Sequence, residues 1–232
     1  MIAVIAAQNE AEEIGATLAA LREAFPLVSL YVADDGSRDG TAAIADAEEA
    51  TVMRVEARNG KGGTMTRAVR AALDRHAAAA SDEADSHDAS DPVLLLCDGD
   101  LGTSAARLAP LVRAVQDGDA DLAVAAFAKR AGGGFGIAVG FAGWAIRRRC
   151  GFPAKAPLSG QRAMLASRAG GLLPFAEGYG MELGMTIDAV RGGLRVREIE
   201  LDLSHRVRGR TPAGFLHRGR QLLDCVRVYL AM

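Results

Sequence analysis

Short apolar runs alternate along the first half of this chain with segments whose apolar residues recur every three or four positions. The runs Ile2 to Ala6, Leu30 to Ala33, Thr51 to Glu56, Val93 to Cys97 and Asp121 to Phe127 predict strands. Between them, Ile14, Leu18 and Leu21 predict a helix through Arg22, and further helices are expected over Thr41–Glu49, Thr64–His76 and Ser104–Gln116. Strand and helix in strict turn imply an α/β fold with three layers and a mostly parallel central sheet.

The second half is less regular. After Lys129 comes a glycine-rich stretch that leads to Arg147-Arg148-Arg149. A short helix is expected around Ser167, and a longer one with Leu183, Ile187 and Val190 on one side ends at Gly192-Gly193. Leu194 to Leu203 alternates as a strand, and Leu216 to Tyr229 closes the chain as an amphipathic helix. Residues 77–91 are Ala, Ser, Asp and Glu with one His and no apolar period, and are expected to form a mobile surface insertion.

Composition narrows the class. With 232 residues, half of them apolar, the chain fits one domain with a continuous core. It divides into residues 1–128, where strand and helix alternate regularly, and 129–232, where the pattern loosens. A net charge of −2 gives no global attraction to nucleic acid, so none is expected as a partner. Three cysteines without a CxxC spacing argue against a disulfide framework or a zinc site and fit a cytoplasmic location. No basic leader precedes Ile2, and no run reaches the ~18 apolar residues of a spanning helix. The uncharged stretch Ala131 to Ile146, with Phe135, Phe141 and Trp144 before three arginines, leaves peripheral contact with a membrane face open.

The candidate chemistry lies in the turns. Three strands end in Gln8-Asn9-Glu10, Asp34-Asp35-Gly36-Ser37 and Asn59-Gly60-Lys61-Gly62, and a fourth in Asp98-Gly99-Asp100. Any one of these is ordinary turn and capping sequence. Parallel strands bring all four to one sheet edge, the edge where open α/β sheets bind ligands. Two carboxylates one residue apart, a lysine and further polar groups suit a nucleotide diphosphate with a hard divalent cation.

These segments, in this order, resemble the motifs of the family 2 glycosyltransferases. The resemblance continues in Ser159-Gly160-Gln161-Arg162, Gly178-Tyr179-Gly180-Met181-Glu182 and His205-Arg206-Val207-Arg208-Gly209-Arg210. Within the family the chain is similar to dolichyl- or polyprenyl-phosphate glycosyltransferases and to glucosyl-3-phosphoglycerate synthase-like enzymes. The resemblance implies a GT-A (Rossmann-like) fold, a nucleotide-diphosphate sugar donor, here expected to be a UDP-sugar, and Mg²⁺ or Mn²⁺ as cofactor. It implies that Glu10 and Asp35 contact the nucleotide, Asp35 reading the base, and that Lys61 lies near ribose or phosphate. Asp98 and Asp100 match the DxD-type motif, with Asp100 the direct metal ligand and Asp98 directed to ribose or a metal-bound water. In the phosphoglycerate subset a histidine in the context of His205 completes the metal site. Many relatives carry an aromatic residue where Gln8 stands, so the nucleobase stays open.

The second half is expected to hold the acceptor, either a lipid-linked phosphate or a small soluble anion. Ser159, Gly160 and Gln161 are assigned to substrate binding with the motif they form. Glu182 matches a family acid near the reacting sugar, and as an acid at a helix start it is stabilised as an anion. With a hydroxyl acceptor it is the candidate base; with a phosphate acceptor it only orients a neighbour. Arg206, Arg208 and Arg210 put three forked cations near the same edge, suited to a diphosphate or an anionic acceptor. The sugar, the stereochemical outcome and the choice between monomer and homodimer stay open.

Other classes fit less well. The glycines from Gly132 to Gly140 lack the third small residue of a dinucleotide loop, which sets a dehydrogenase aside. A sugar-1-phosphate nucleotidyltransferase would carry a glycine-rich basic loop where Gln8-Asn9-Glu10 stands. A non-catalytic nucleotide-sugar-binding protein is disfavoured by the intact Lys61, Asp98, Asp100 and Glu182.

Overall fold

The computed structural model describes residues 1–56, 59–82, 91–128, 136–204 and 212–232. In chain order the strands are β1 (Ile2–Ala7), β2 (Ser29–Asp34), β3 (Thr51–Arg54), β4 (Val93–Asp98), β5 (Leu122–Phe127), β6 (Arg162–Leu165) and β7 (Val196–Leu201). The helices are α1 (Ile14–Ala24), α2 (Thr41–Ala47), α3 (Lys61–Asp82), α4 (Ala109–Gln116), α5 (Ile137–Cys150), α6 (Ala166–Ala169), α7 (Met181–Arg191) and α8 (Pro212–Ala231). The strands form one seven-stranded sheet in the order β3-β2-β1-β4-β6-β5-β7.

Six strands run in one direction, and β6 alone runs against them, antiparallel to both β4 and β5. Residues of β1 and β4 alternate between two cores. Ala3, Ile5, Leu95 and Cys97 face one side with Ile14, Leu18 and Leu21 of α1. Ile2, Val4, Leu94 and Leu96 face the other with Met65, Ala68 and Val69 of α3 and Met181 and Met185 of α7. Burial on both faces is what near-continuous apolar runs predict for central parallel strands. The expected three-layer α/β architecture is therefore present. A third cluster joins α5, α7 and α8 through Ala142, Ile146, Leu183, Ile187, Cys225 and Val228.

Register positions the site. Ala6 pairs with both Ala33 and Asp98, and Ala7 with Asp34, so β1, β2 and β4 end level with one another. Arg162 pairs with Leu96 on one side and Val124 on the other. Because β6 is reversed, its first residue lies at the edge where its neighbours end, and the Ser159–Gln161 loop arrives there too.

Several boundaries differ from expectation. The helix expected to stop at His76 continues to Asp82, through residues assigned to the insertion. Ala77 to Ala80 are strong helix formers, and their lack of apolar contrast does not stop them extending a helix already nucleated. The rest of that segment, 83–90, lies outside the described residues. The helix expected from Ser104 begins as a 3-10 turn over Gly102–Leu108 and becomes α-helical at Ala109, where Pro110 fits the first turn. Strand β6 was not expected at all.

Candidate active site

The turn after β4 is held from below by α1. Thr17 is fully buried, and its hydroxyl donates to the Gly99 carbonyl at 2.9 Å and accepts the Gly102 amide at 2.9 Å. The Gly99 amide donates to the Ala6 carbonyl at 2.8 Å. Asp98-Gly99-Asp100 is thus tied to both a neighbouring strand and a helix before any ligand is considered.

Lys61, the first residue of α3, reaches across this turn. Its Nζ lies 2.5 Å from Asp98 Oδ1 and 2.7 Å from Glu182 Oε1. Gln161 Nε2 donates to Asp98 Oδ2 at 2.7 Å, and Ser159 Oγ donates to Gln161 Oε1 at 3.0 Å. The lysine side chain is only 19% exposed. Burial pulls its pKa down, but Asp98 and Glu182 more than offset this, and the net shift is upward. The pair's contribution to stability is in place below the ordinary lysine value of 10.5 and is lost only as pH rises through the higher folded-state value.

Gly160 is packed against this cluster so closely that a side chain has no place. A Cβ there would lie 2.6 Å from Asp98 Oδ2 and 2.7 Å from Lys61 Nζ. Glycine is required here by close approach rather than by backbone conformation.

Beneath the cluster lies Arg162, fully buried. Its Nε donates to the Ser159 carbonyl at 2.9 Å and its Nη1 to Thr186 Oγ1 at 2.9 Å. Thr186 Oγ1 in turn donates to the Glu182 carbonyl at 2.9 Å. One guanidinium therefore links the Ser159–Gln161 loop to the helix that carries Glu182. Burial lowers its pKa to about 10 while Glu182 and Glu198 raise it, so the group is a cation at any physiological pH.

A second network surrounds Asp35, which is buried. Its Oδ1 accepts the Asn59 amide and the Thr64 hydroxyl, each at 2.8 Å, and Gln8 Nε2 donates to its carbonyl at 2.9 Å. Three of the four expected turns meet at this one residue. Glu10 is buried at the start of α1, where its amide donates to Thr41 Oγ1 and its carbonyl accepts the amides of Glu13 and Ile14.

Of the expected site residues, Lys61, Asp98, Ser159, Gly160, Gln161 and Glu182 come together in one cluster. Asp100 stands half-buried in the turn beside it, and Asp35 and Glu10 lie in the neighbouring turns. His205, Arg206, Arg208 and Arg210 lie outside the described residues. Thr17, Thr64 and Thr186 were not singled out by sequence. Their signal was a hydroxyl inside an apolar helical stripe, as with Thr17 between Ile14 and Leu18.

Among the described residues no group of three His, Cys, Asp or Glu side chains could hold a metal ion. The donor set of this edge still fits a hard divalent cation that shares phosphate oxygens. Both oxygens of Asp98 accept hydrogen bonds, from Lys61 and Gln161.

The seven-stranded, mostly parallel sheet with an acid pair at the end of its fourth strand has the GT-A architecture. The chain belongs to glycosyl transferase family 2, whose model matches residues 2–157. Solved structures of Mycobacterium tuberculosis glucosyl-3-phosphoglycerate synthase superpose over nearly the whole chain. The enzyme alone is 27% identical with a TM-score of 0.72, covering 99% of this chain and 79% of that one. Its complex with Mg²⁺ and UDP is 26% identical with a TM-score of 0.73, covering 99% and 78%. Its complex with Mn²⁺, UDP-glucose and phosphoglyceric acid is 25% identical with a TM-score of 0.72, covering 99% and 78%. No curated protein sequence matches the chain.

Proposed function

We propose that this glycosyltransferase moves a hexosyl group from a UDP-sugar to an anionic acceptor in a reaction dependent on Mg²⁺ or Mn²⁺. The observation that carries this reading is the Lys61 bridge between Asp98 and Glu182, which joins the donor half of the fold to the acceptor half. The similar synthase structures hold UDP with either metal, and one holds UDP-glucose with phosphoglyceric acid. Bound at Asp100, the metal would offset the charge that develops on the diphosphate as the sugar departs.

The chain's own residues supply the rest. Asp35, held by Asn59, Thr64 and Gln8, is the group that reads the base. Asp98 turns toward the ribose, fixed by Lys61 and Gln161. Lys61 answers the diphosphate charge once donor enters, and Glu182 is then available to the acceptor or the reacting sugar. With a phosphate or carboxylate acceptor the attacking oxygen is already anionic or readily so, and Glu182 orients rather than deprotonates. His205, Arg206, Arg208 and Arg210 belong to this reading as metal and anion partners, after the family pattern. A lipid-linked phosphate and a small soluble anion are both within the acceptor class, and a cytoplasmic setting suits either.

A donor screen by calorimetry tests it. UDP-sugars are expected to bind with Mn²⁺ present and at least about tenfold more weakly without it, with GDP- and dTDP-sugars weaker still. Metal-independent binding, or preference for another base, would contradict the reading.

A further inference from the structure

The outer faces of α5 and α8 form an exposed surface that the catalytic account does not use. On α5, Ala138, Ala142, Ala145 and Ile146 face inward with Phe141 packed against their cluster, while Ile137, Trp144, Arg147 and Arg148 lie exposed at helical spacing. Ile137 is 64% and Trp144 52% exposed. On α8, Cys225 and Val228 face inward, and Leu223, Arg227 and Leu230 lie outward, Leu230 at 74% exposure. Tyr229 forms the seam, its ring 5.2 Å from Trp144 and 6.0 Å from Phe141. The rings of Phe141, Trp144 and Tyr229 therefore bridge the two helices.

The charge on this surface has one sign. Helix α5 carries three arginines and no acid. From Gly219 onward α8 carries Arg220 and Arg227, and its one acid, Asp224, is occupied with the Tyr179 amide at 3.1 Å and Arg227 at 3.2 Å. In a chain of net charge −2, this is a local basic face. Exposed leucine, isoleucine and tryptophan bordered by arginine are what an interfacial helix pair presents to a bilayer. No helix among the described residues is long and apolar enough to cross one.

We propose that the α5–α8 face docks on an anionic lipid surface, with Trp144, Ile137, Leu223 and Leu230 entering the headgroup region and Arg147, Arg148, Arg220 and Arg227 answering lipid phosphates. Charge complementarity selects this occupant. A two-fold contact with a second copy would set this basic face against itself, and the one acid on the described part of α8, Asp224, is already occupied. The face also adjoins the site. Asp224 holds the Tyr179 amide three residues before Glu182, and Gly178 backs onto Gly60 beside Lys61.

Trp144 is the chain's single tryptophan, so its fluorescence reports this face alone. The full chain is mixed with vesicles of phosphatidylcholine, with or without phosphatidylglycerol, and read by emission and co-sedimentation. A blue shift and sedimentation with the phosphatidylglycerol vesicles only, reversed by about 0.5 M salt, is expected. Arg148→Glu with Arg227→Glu, and separately Leu230→Ser, keep the tryptophan and should each weaken binding at least about tenfold. Circular dichroism and UDP calorimetry on the same variants should be unchanged, which separates failure of docking from failure of the donor reading. No sedimentation with anionic vesicles, or variants that bind as before, would overturn the proposal. A concentration-dependent dimer that buries Trp144 without lipid would also overturn it, in favour of a second copy.

Discussion

At the scale of single residues, the site depends on what is absent at position 160. Lys61, Asp98 and Gln161 converge because Gly160 has no Cβ, and a methyl group would overlap both charged partners. The overlapping atoms are side-chain ends, so the chain can fold around the change while the cluster cannot keep its geometry. Gly160→Ala should therefore lower the turnover number by about 10²-fold, since displacement of about 1 Å is enough for that, with the melting temperature moved by only about 3 °C. Steady-state kinetics and thermal denaturation on one preparation check it, and a variant with normal turnover would contradict the packing argument. Glycine at this position was legible as part of a motif, but the reason for it was not. A sequence shows that Gly160 precedes Gln161 and cannot show that Asp98 and Lys61 stand against it.

At the scale of elements, the strands that end in acids were readable and the one that begins with a charge was not. Strand β4 announces itself through five apolar residues before Asp98, and β1 and β2 do so in the same way. Strand β6 is only Arg162–Leu165, and it opens on an arginine that sequence reasoning places in solvent. Its reversed direction follows from pairing with β4 and β5, contacts that no local pattern encodes. Thr17 gives a similar lesson on α1: a buried hydroxyl in an apolar stripe holds the Asp98–Asp100 turn, with its Gly99 partner 82 residues along the chain. Thr17→Val keeps the shape but leaves the Gly102 amide and the Gly99 carbonyl without this partner. A loss of about 1–3 kcal/mol in stability is expected, together with weaker Mn²⁺ binding. Thr17→Ser should restore both in denaturation and metal titration. Equal behaviour of the Val and Ser variants would show that the hydroxyl does not hold the turn.

At the scale of the whole molecule, one reversed strand brings the two halves of the chain to the same sheet edge. The first half was legible almost entirely, because four parallel strands with polar ends can only deliver those ends to one edge. The second half reaches the same edge through β6 and the start of α7, and Lys61 is where the halves meet. The family model covers residues 2–157, so Glu182 rests on the fold and on this contact rather than on that match. The central claim, a metal-held diphosphate at Asp100 served by both halves, is tested most directly by single-turnover consumption of UDP-glucose with Mn²⁺ for the unaltered chain and for Asp100→Asn. Loss of at least about 10³-fold in rate, with circular dichroism unchanged, is the predicted result. Equal rates in the two proteins, or full activity of the unaltered chain after chelation, would contradict it.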